Sequence, residues 1–374
     1  MTSGNTTMRQ AMRLMHSGDL QAATRTIQQA LGGTTAAAAG PAVQGARDVR
    51  GDAAAGGRYI EGEFRVLDGG RARTAGAGPG ARPDRGARHR FSCDAGDLEY
   101  RLHVPAGLET AGAPLLVMLH GCTQGPEDFA RGTRMNRLAG EQGYVVAWPA
   151  QSAERNPNRC WNWFRGSDQQ RDRGEPAILA ALTRQLVASH RLDAGRVYVA
   201  GLSAGGAMAA VLAATHPDVY AAIGVHSGLP TGLASDMPSA FTAMRKGVGR
   251  GRRPSASGAS PVPAIVFHGD NDSTVHPGNG EAMVEQILGD AHGAGGTGGS
   301  STVERHAGQG GRDSTRTVHR RADGRILAEH WVIHGAGHAW SGGDTAGTYT
   351  DPQGPDASAR MLRFFGLTDL AGAR

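Results

Sequence analysis

Arg196-Val-Tyr-Val-Ala-Gly-Leu-Ser-Ala-Gly-Gly206 is the stretch on which the reading of this chain turns. Val197 to Ala200 has the composition of a short buried strand. Gly201-Leu202-Ser203-Ala204-Gly205 follows, and the small, apolar run from Gly206 to Thr215 predicts a helix. A strand that enters a helix through G-x-S-x-G forces the serine onto a tight, strained turn. Its Oγ then stands at the carboxyl edge of the sheet, with a helix N-terminus behind it that favours developing negative charge. Gly201 and Gly205 lack a Cβ, so strand and helix can approach closely. Glycine is 58 of 374 residues, so the motif alone carries little weight. A solvated serine in a Gly-rich turn is the bland alternative, and only the flanking strand and helix argue against it.

The length allows one large domain with extras, or two domains. Hydrophobic residues make up 39% and aromatic residues 5%, lean values whose deficit falls in particular segments. The formal charge is +5, carried almost wholly by arginine; Lys246 is the only lysine. The arginines are scattered, without basic blocks or interleaved aromatics, which argues against a nucleic-acid partner. No apolar run is long enough to span a bilayer. Met1 to Thr7 is polar and no signal-type apolar region follows, so a cytoplasmic location is expected. Cys93, Cys122 and Cys160 are too few and too odd for a disulfide scaffold.

Residues 8–31 have apolar positions near helical spacing, interrupted at Ser17-Gly18-Asp19, and read as one helix or a short helical hairpin. Packing on its own domain is favoured over docking to a partner. Residues 32–88, rich in Gly, Ala and Arg, read as a mostly disordered linker. Within them only Arg58 to Leu67 alternates like a strand. A catalytic-sized domain spans residues 89–370. Pro114 to Leu119, Tyr144 to Trp148 (stopped by Pro149), Val197 to Ala200, Ala221 to Val225, Pro263 to Phe267 and Leu327 to Ile333 are buried strands. A hairpin precedes them, ended by Pro105. A second hairpin, Val303 to His306 with Arg316 to Arg320, comes before the last strand. Helices are expected over 128–142, 175–191, 206–216, 280–288 and 357–365, and a polar flap over 231–260. Strands alternating with helices give a doubly wound, mostly parallel α/β sheet.

Ligands of such sheets bind beyond the carboxyl ends of the strands. After Leu119 comes His120-Gly-Cys-Thr-Gln124, whose Cys122 amide, with that of Ala204, is the expected oxyanion donor pair. After Phe267 comes His268-Gly-Asp-Asn-Asp272; Asp272 is the expected acid and Asp270 the alternate. His268 reads as a hydrogen-bonded strand-end residue and His276 as a loop residue. After Ile333 comes His334-Gly-Ala-Gly-His-Ala-Trp340, with His338 the expected base and His334 the weaker choice. The order Ser203, Asp272, His338 is that of the α/β-hydrolases.

Leu119-His-Gly-Cys-Thr-Gln124, Cys160-Trp-Asn-Trp-Phe164, Gly201 to Gly206, His268 to Asp272 and Gly335 to Trp340 together resemble the polyhydroxybutyrate depolymerase family of esterases, to which feruloyl and acetylxylan esterases are similar. The likeness covers about residues 89–366. It implies an α/β-hydrolase acting on short-chain hydroxyalkanoate esters, with Ser203, Asp272 and His338 as triad. It also implies that Cys122 and Cys160 are neighbours, bridged or, in the cytosol, free. Many family members are secreted, which makes an extracellular location the alternative. Trp161, Trp163 and Trp340 are candidate walls of the acyl pocket, with ordinary core packing the other reading. No polymer-binding repeat and no Ser/Thr-rich linker are recognisable, so oligomers, amorphous granules or small esters fit better than crystalline polymer. No metal or organic cofactor is implied. Two further readings stand beside this one: a feruloyl or acetyl-carbohydrate esterase with the same triad, and a non-catalytic protein bound to a polymer-granule surface through residues 8–31.

Overall fold

Apolar runs without polar alternation fit only strands covered on both faces, and the computed structural model puts them at the centre of one large sheet. It describes residues 88–247, 261–293, 299–308 and 310–372, all within the unit Arg85–Arg374. The amphipathic segment 8–31 and the linker 32–88, except Arg88, lie outside the described residues, as does the second half of the 231–260 excursion.

In chain order the strands are β1 (Arg88–Cys93), β2 (Gly96–His103), β3 (Leu115–Leu119), β4 (Val145–Ala150), β5 (Val197–Leu202), β6 (Ala222–His226), β7 (Ala264–Gly269), β8 (Ser300–His306), β9 (Ser314–Arg320), β10 (Ile326–Ile333), β11 (Trp340–Ser341) and β12 (Thr350–Asp351). The helices are α1 (Pro126–Thr133), α2 (Met135–Gly140), α3 (Gly174–His190), α4 (Ala204–Thr215), α5 (Met237–Lys246), α6 (Gly278–Gly293) and α7 (Ala357–Gly372). The main sheet has ten strands in the order β1-β2-β4-β3-β5-β6-β7-β10-β9-β8. From β4 to β10 neighbours run parallel; the pairs at both margins are antiparallel. A mostly parallel sheet with helices between its strands is the α/β-hydrolase architecture.

Both faces of the sheet are covered. Leu115, Val117 and Leu119 point to the layer containing Ile178, Leu182, Met208 and Met283. Leu116 and Met118, one residue out of phase, point to the layer containing Phe129, Met135, Met361 and Phe365. The register aligns strand exits at one edge: Leu119 opposite Gly201, Leu202 opposite His226, His226 opposite Phe267, and Ile333 opposite Gly269.

Two local expectations are corrected. The helix over 128–142 is broken at Arg134, which takes φ 55°. Its guanidinium reaches across to Gly342 O at 2.6 Å and Asp356 Oδ2 at 2.8 Å, contacts that hold the break in place. Pro149 does not end β4 but lies within it, opposite Tyr100. There β4 has already left β3, whose pairing stops at Ala147, so the missing N–H falls on an open edge. The first half of the polar flap carries α5, capped by Asp236 and Ser239. No described helix is long and apolar enough to cross a membrane.

Candidate active site

Ser203 stands between β5 and α4 with φ 57° and ψ −118°, a region sparsely populated by residues with a Cβ. Such strain persists only where surroundings enforce it. Here the Ser203 amide donates to His226 O at 2.9 Å. A Cβ on Gly205 would strike the Leu119 carbonyl, and one on Gly201 the backbone of Gly205. Both glycines are therefore dictated by close approach of backbone to backbone. Ala204 is the first residue of α4, so its amide has no intrahelical acceptor.

The loop leaving β3 is held from several sides. The Gly121 amide donates to Gln124 Oε1 at 2.9 Å, and Gln124 Nε2 donates to Thr348 O at 3.0 Å. The Thr123 amide donates to Asn158 O at 2.7 Å. Cys122 is joined to Cys160 by a disulfide, and Cys93 is free. Trp161 Nε1 donates to His120 O at 3.1 Å. His120 itself is buried; its Nε2 accepts from the Gln151 amide at 3.1 Å, and its Nδ1 donates to Gly121 O at 2.8 Å. Burial lowers its pKa to about 4, so the ring is neutral and structural. While these neighbouring groups are engaged, the Cys122 amide meets no acceptor among the described residues.

Asp272 and His338 are brought together: His338 Nδ1 donates to Asp272 Oδ2 at 2.7 Å. Asp272 Oδ1 accepts the Thr274 and Val275 amides, each at 2.9 Å. His268 Nε2 donates to Val275 O at 2.9 Å and lies 3.5 Å from Asp272 Oδ2. Burial alone would raise the Asp272 pKa, but the hydrogen bonds from His268, His338 and the Val275 amide hold it far below the usual carboxylate range. The carboxylate is thus ionised, and it fixes the proton of His338 on Nδ1, leaving Nε2 as the acceptor. Asp270 is elsewhere engaged. It accepts from His334 Nδ1 at 2.8 Å and the Gly335 amide at 2.6 Å in an exposed pair. His276 is exposed and accepts from the Gly278 amide.

The three candidate tryptophans are largely buried. Trp161, Trp163 and Trp340 are 1%, 6% and 1% exposed. Trp340 lies edge-on to Phe129, stacks on His226, and donates Nε1 to Ser358 Oγ at 3.1 Å. Trp163 meets Phe164 edge-on. Their indoles are spent on the core, where such large faces stabilise most.

His226, at the exit of β6, was not apparent as a site residue. It is fully buried, its carbonyl accepts the Ser203 amide, and its Nε2 accepts the Ser341 amide at 3.0 Å. Burial lowers its pKa to about 3 and keeps it neutral, as an accepting Nε2 requires. The strand-exit rule that singled out the other loops applies equally to Val225-His-Ser227.

The sequence profile of the family described as Esterase PHB depolymerase matches residues 98–308. Poly(3-hydroxyalkanoate) depolymerase C of Paucimonas lemoignei is 36% identical over 296 residues, 74% of this chain and 69% of that protein. Poly(3-hydroxybutyrate) depolymerase of Ralstonia pickettii is 29% identical over 294 residues, covering 74% and 58% of the two chains. Among solved structures, an acetyl xylan esterase from Aspergillus awamori superposes with a TM-score of 0.59 at 20% identity, over 75% of this chain and all of that one, a likeness of fold.

Proposed function

The chain belongs to the Esterase PHB depolymerase family, and from that premise we propose that this carboxylic ester hydrolase cleaves short-chain hydroxyalkanoate esters through an acyl-enzyme on Ser203. The single observation that carries the reading is the Asp272–His338 hydrogen bond at 2.7 Å, formed between the loops that leave β7 and β10. His338 Nε2 takes the Ser203 proton as Oγ attacks the ester carbonyl. Asp272 orients the ring and stabilises the imidazolium. The oxyanion of the tetrahedral intermediate meets the Cys122 and Ala204 amides; one such donor contributes about 3 kcal/mol to lowering the barrier. The C–O bond to the alcohol breaks, and the alcohol leaves with the proton from His338. Water, deprotonated by the same Nε2, then releases the acid and restores Ser203.

A serine-directed fluorophosphonate should label Ser203, and p-nitrophenyl butyrate should be hydrolysed by the wild type and not by Ser203→Ala; no adduct and no turnover would sink the reading. Proteins named acetylxylan esterase also match, at 25% identity, so carbohydrate acetyl or feruloyl esters form the second reading. Rates on hydroxybutyrate oligomers set beside those on feruloyl and acetyl esters decide between them. The Cys122–Cys160 disulfide favours an oxidising compartment over the cytoplasm. Residues 8–31 are the segment offered to a polymer-granule surface, and co-sedimentation with granules, with and without residues 1–88, tests that contact.

A further inference from the structure

Beside the Cys122 loop lies a cleft of about 460 Å³ that the mechanism above does not use. No triad residue lines it. Its walls are Thr123, Gln124, Arg159, Thr348 and Tyr349, closed by the first turns of α1. Seven described non-glycine residues have positive φ; besides the elbow serine they include Thr123 at 65°, Arg159 at 51° and Tyr349 at 52°, and these three meet in this one cleft. Backbone strain concentrated in this way marks ligand clamps more often than ordinary loops. Thr123 Oγ1 and the Tyr349 hydroxyl lie 3.2 Å apart and tie two of the strained segments together.

The charges in the walls are unequal in their engagement. Glu127 is held by Arg101 and by Arg88 at 3.3 Å. Asp128 accepts from Gln124 Nε2 and the Thr348 amide, each at 3.1 Å, and from Thr348 Oγ1. Arg131 is spent on Ala346 O at 3.3 Å and lies 3.6 Å from Asp128. The exposed Arg159 guanidinium meets no carboxylate among the described residues. Arg159 also immediately precedes Cys160, whose disulfide to Cys122 fastens it to the oxyanion loop. The cleft therefore presents one guanidinium that pairs with no carboxylate among the described residues, with hydroxyl and amide groups around it, beside the loop that carries Cys122.

A hydroxyalkanoate chain ends in a free carboxylate, which feruloyl and acetyl esters lack. A guanidinium fork matches a carboxylate in shape and charge. Resting on the esterase reading above, we propose that Arg159 binds the terminal carboxylate of a hydroxyalkanoate oligomer in this cleft and so directs cleavage to ester bonds near that end. The test compares kcat/KM for the free acid of a 3-hydroxybutyrate trimer with that for its methyl ester. Wild-type enzyme should favour the free acid by about tenfold at low salt, and the preference should shrink as ionic strength rises. In Arg159→Gln the ratio should fall to near one; Arg159→Lys should retain part of it. The ratio is read on a single preparation, so partial loss of folded enzyme cancels. A wild-type ratio near one, or an unchanged ratio in Arg159→Gln, overturns the proposal. Failure of the wild type to hydrolyse either trimer or p-nitrophenyl butyrate sinks the esterase reading and this proposal with it. Hydrolysis with a ratio of one removes the carboxylate subsite alone.

Discussion

Replacing Asp272 by Asn keeps size and shape but reverses one hydrogen bond. The carboxylate Oδ1 holds two backbone amides, Thr274 and Val275, at 2.9 Å each. To keep them, the carboxamide oxygen must stay in that place, and the NH2 then faces His338 Nδ1, 2.7 Å away in the wild type. Two donors cannot share that space, so His338 adopts the other tautomer, with its proton on Nε2. A protonated Nε2 cannot accept the Ser203 proton, and the negative charge that would stabilise the imidazolium is gone as well. Where the same exchange has been made in a serine triad the loss in kcat is about 10⁴-fold, which corresponds to roughly 5 kcal/mol of barrier. We expect a fall of about 10³- to 10⁴-fold in kcat on p-nitrophenyl butyrate at neutral pH, with KM little changed and the melting temperature close to wild type. Asp270→Asn is the companion measurement. Asp270 serves the exposed His334, so its loss should leave kcat within about threefold, as surface changes far from the chemistry do. A kcat for Asp272→Asn within tenfold of wild type refutes the assignment, and a large loss in Asp270→Asn instead transfers the acid's role to that residue.

Trp340→Ala removes a buried indole two residues beyond His338 and should cost about 3–5 kcal/mol of stability, with kcat falling as the loop loosens. Trp340→Phe should recover most of it, leaving a deficit of about 1 kcal/mol for the lost Ser358 bond, and thermal denaturation of the pair checks both. Cys160→Ser opens the Cys122–Cys160 bridge, which spans a sequence separation of 38; chain entropy sets the loss at about 4 kcal/mol or less. Urea midpoints with and without reductant should differ for wild type and coincide for the variant; coincident wild-type midpoints contradict the bridge. Glu175 is buried, and burial raises its pKa from 4.5 to about 7 against the opposing bonds from Asn162 and Gln151. The folded state therefore holds this proton where the unfolded chain has lost it. Its contribution to stability is full below pH 4.5 and declines as pH rises towards 7. Subtracting the Glu175→Gln stability profile from that of wild type should reveal the decline, and a flat difference excludes it.

The buried strands were legible because β3, β5 and β7 are apolar on both faces, a pattern that only a covered sheet accommodates. The meeting of Asp272 with His338 was legible from chain order, since each lies in the loop that leaves a strand of the sheet. What escaped the sequence depends on contacts remote along the chain. Gln124 is fixed by Thr348, 224 residues away. The break at Arg134 is held by Gly342 and Asp356. Nothing in Trp161 or Trp340 says which face of the sheet their indoles will cover, and the core claimed them. Pro149 looked like a terminator because a proline is tolerated in a strand only at an edge, and that edge exists only once β4 diverges from β3.

His226 joins parts of the site that are far apart in sequence. Its carbonyl holds the Ser203 amide and its ring holds the Ser341 amide, three residues after His338. Ser203 and the loop that carries His338 thus hang from one fully buried residue, by its backbone and by its ring, in the middle of the sheet. Local opening of the site would require that strand to yield, and central strands open only with the free energy of global unfolding. The site and the sheet then form one cooperative unit, and on heating, esterase activity and tertiary structure should disappear in the same transition.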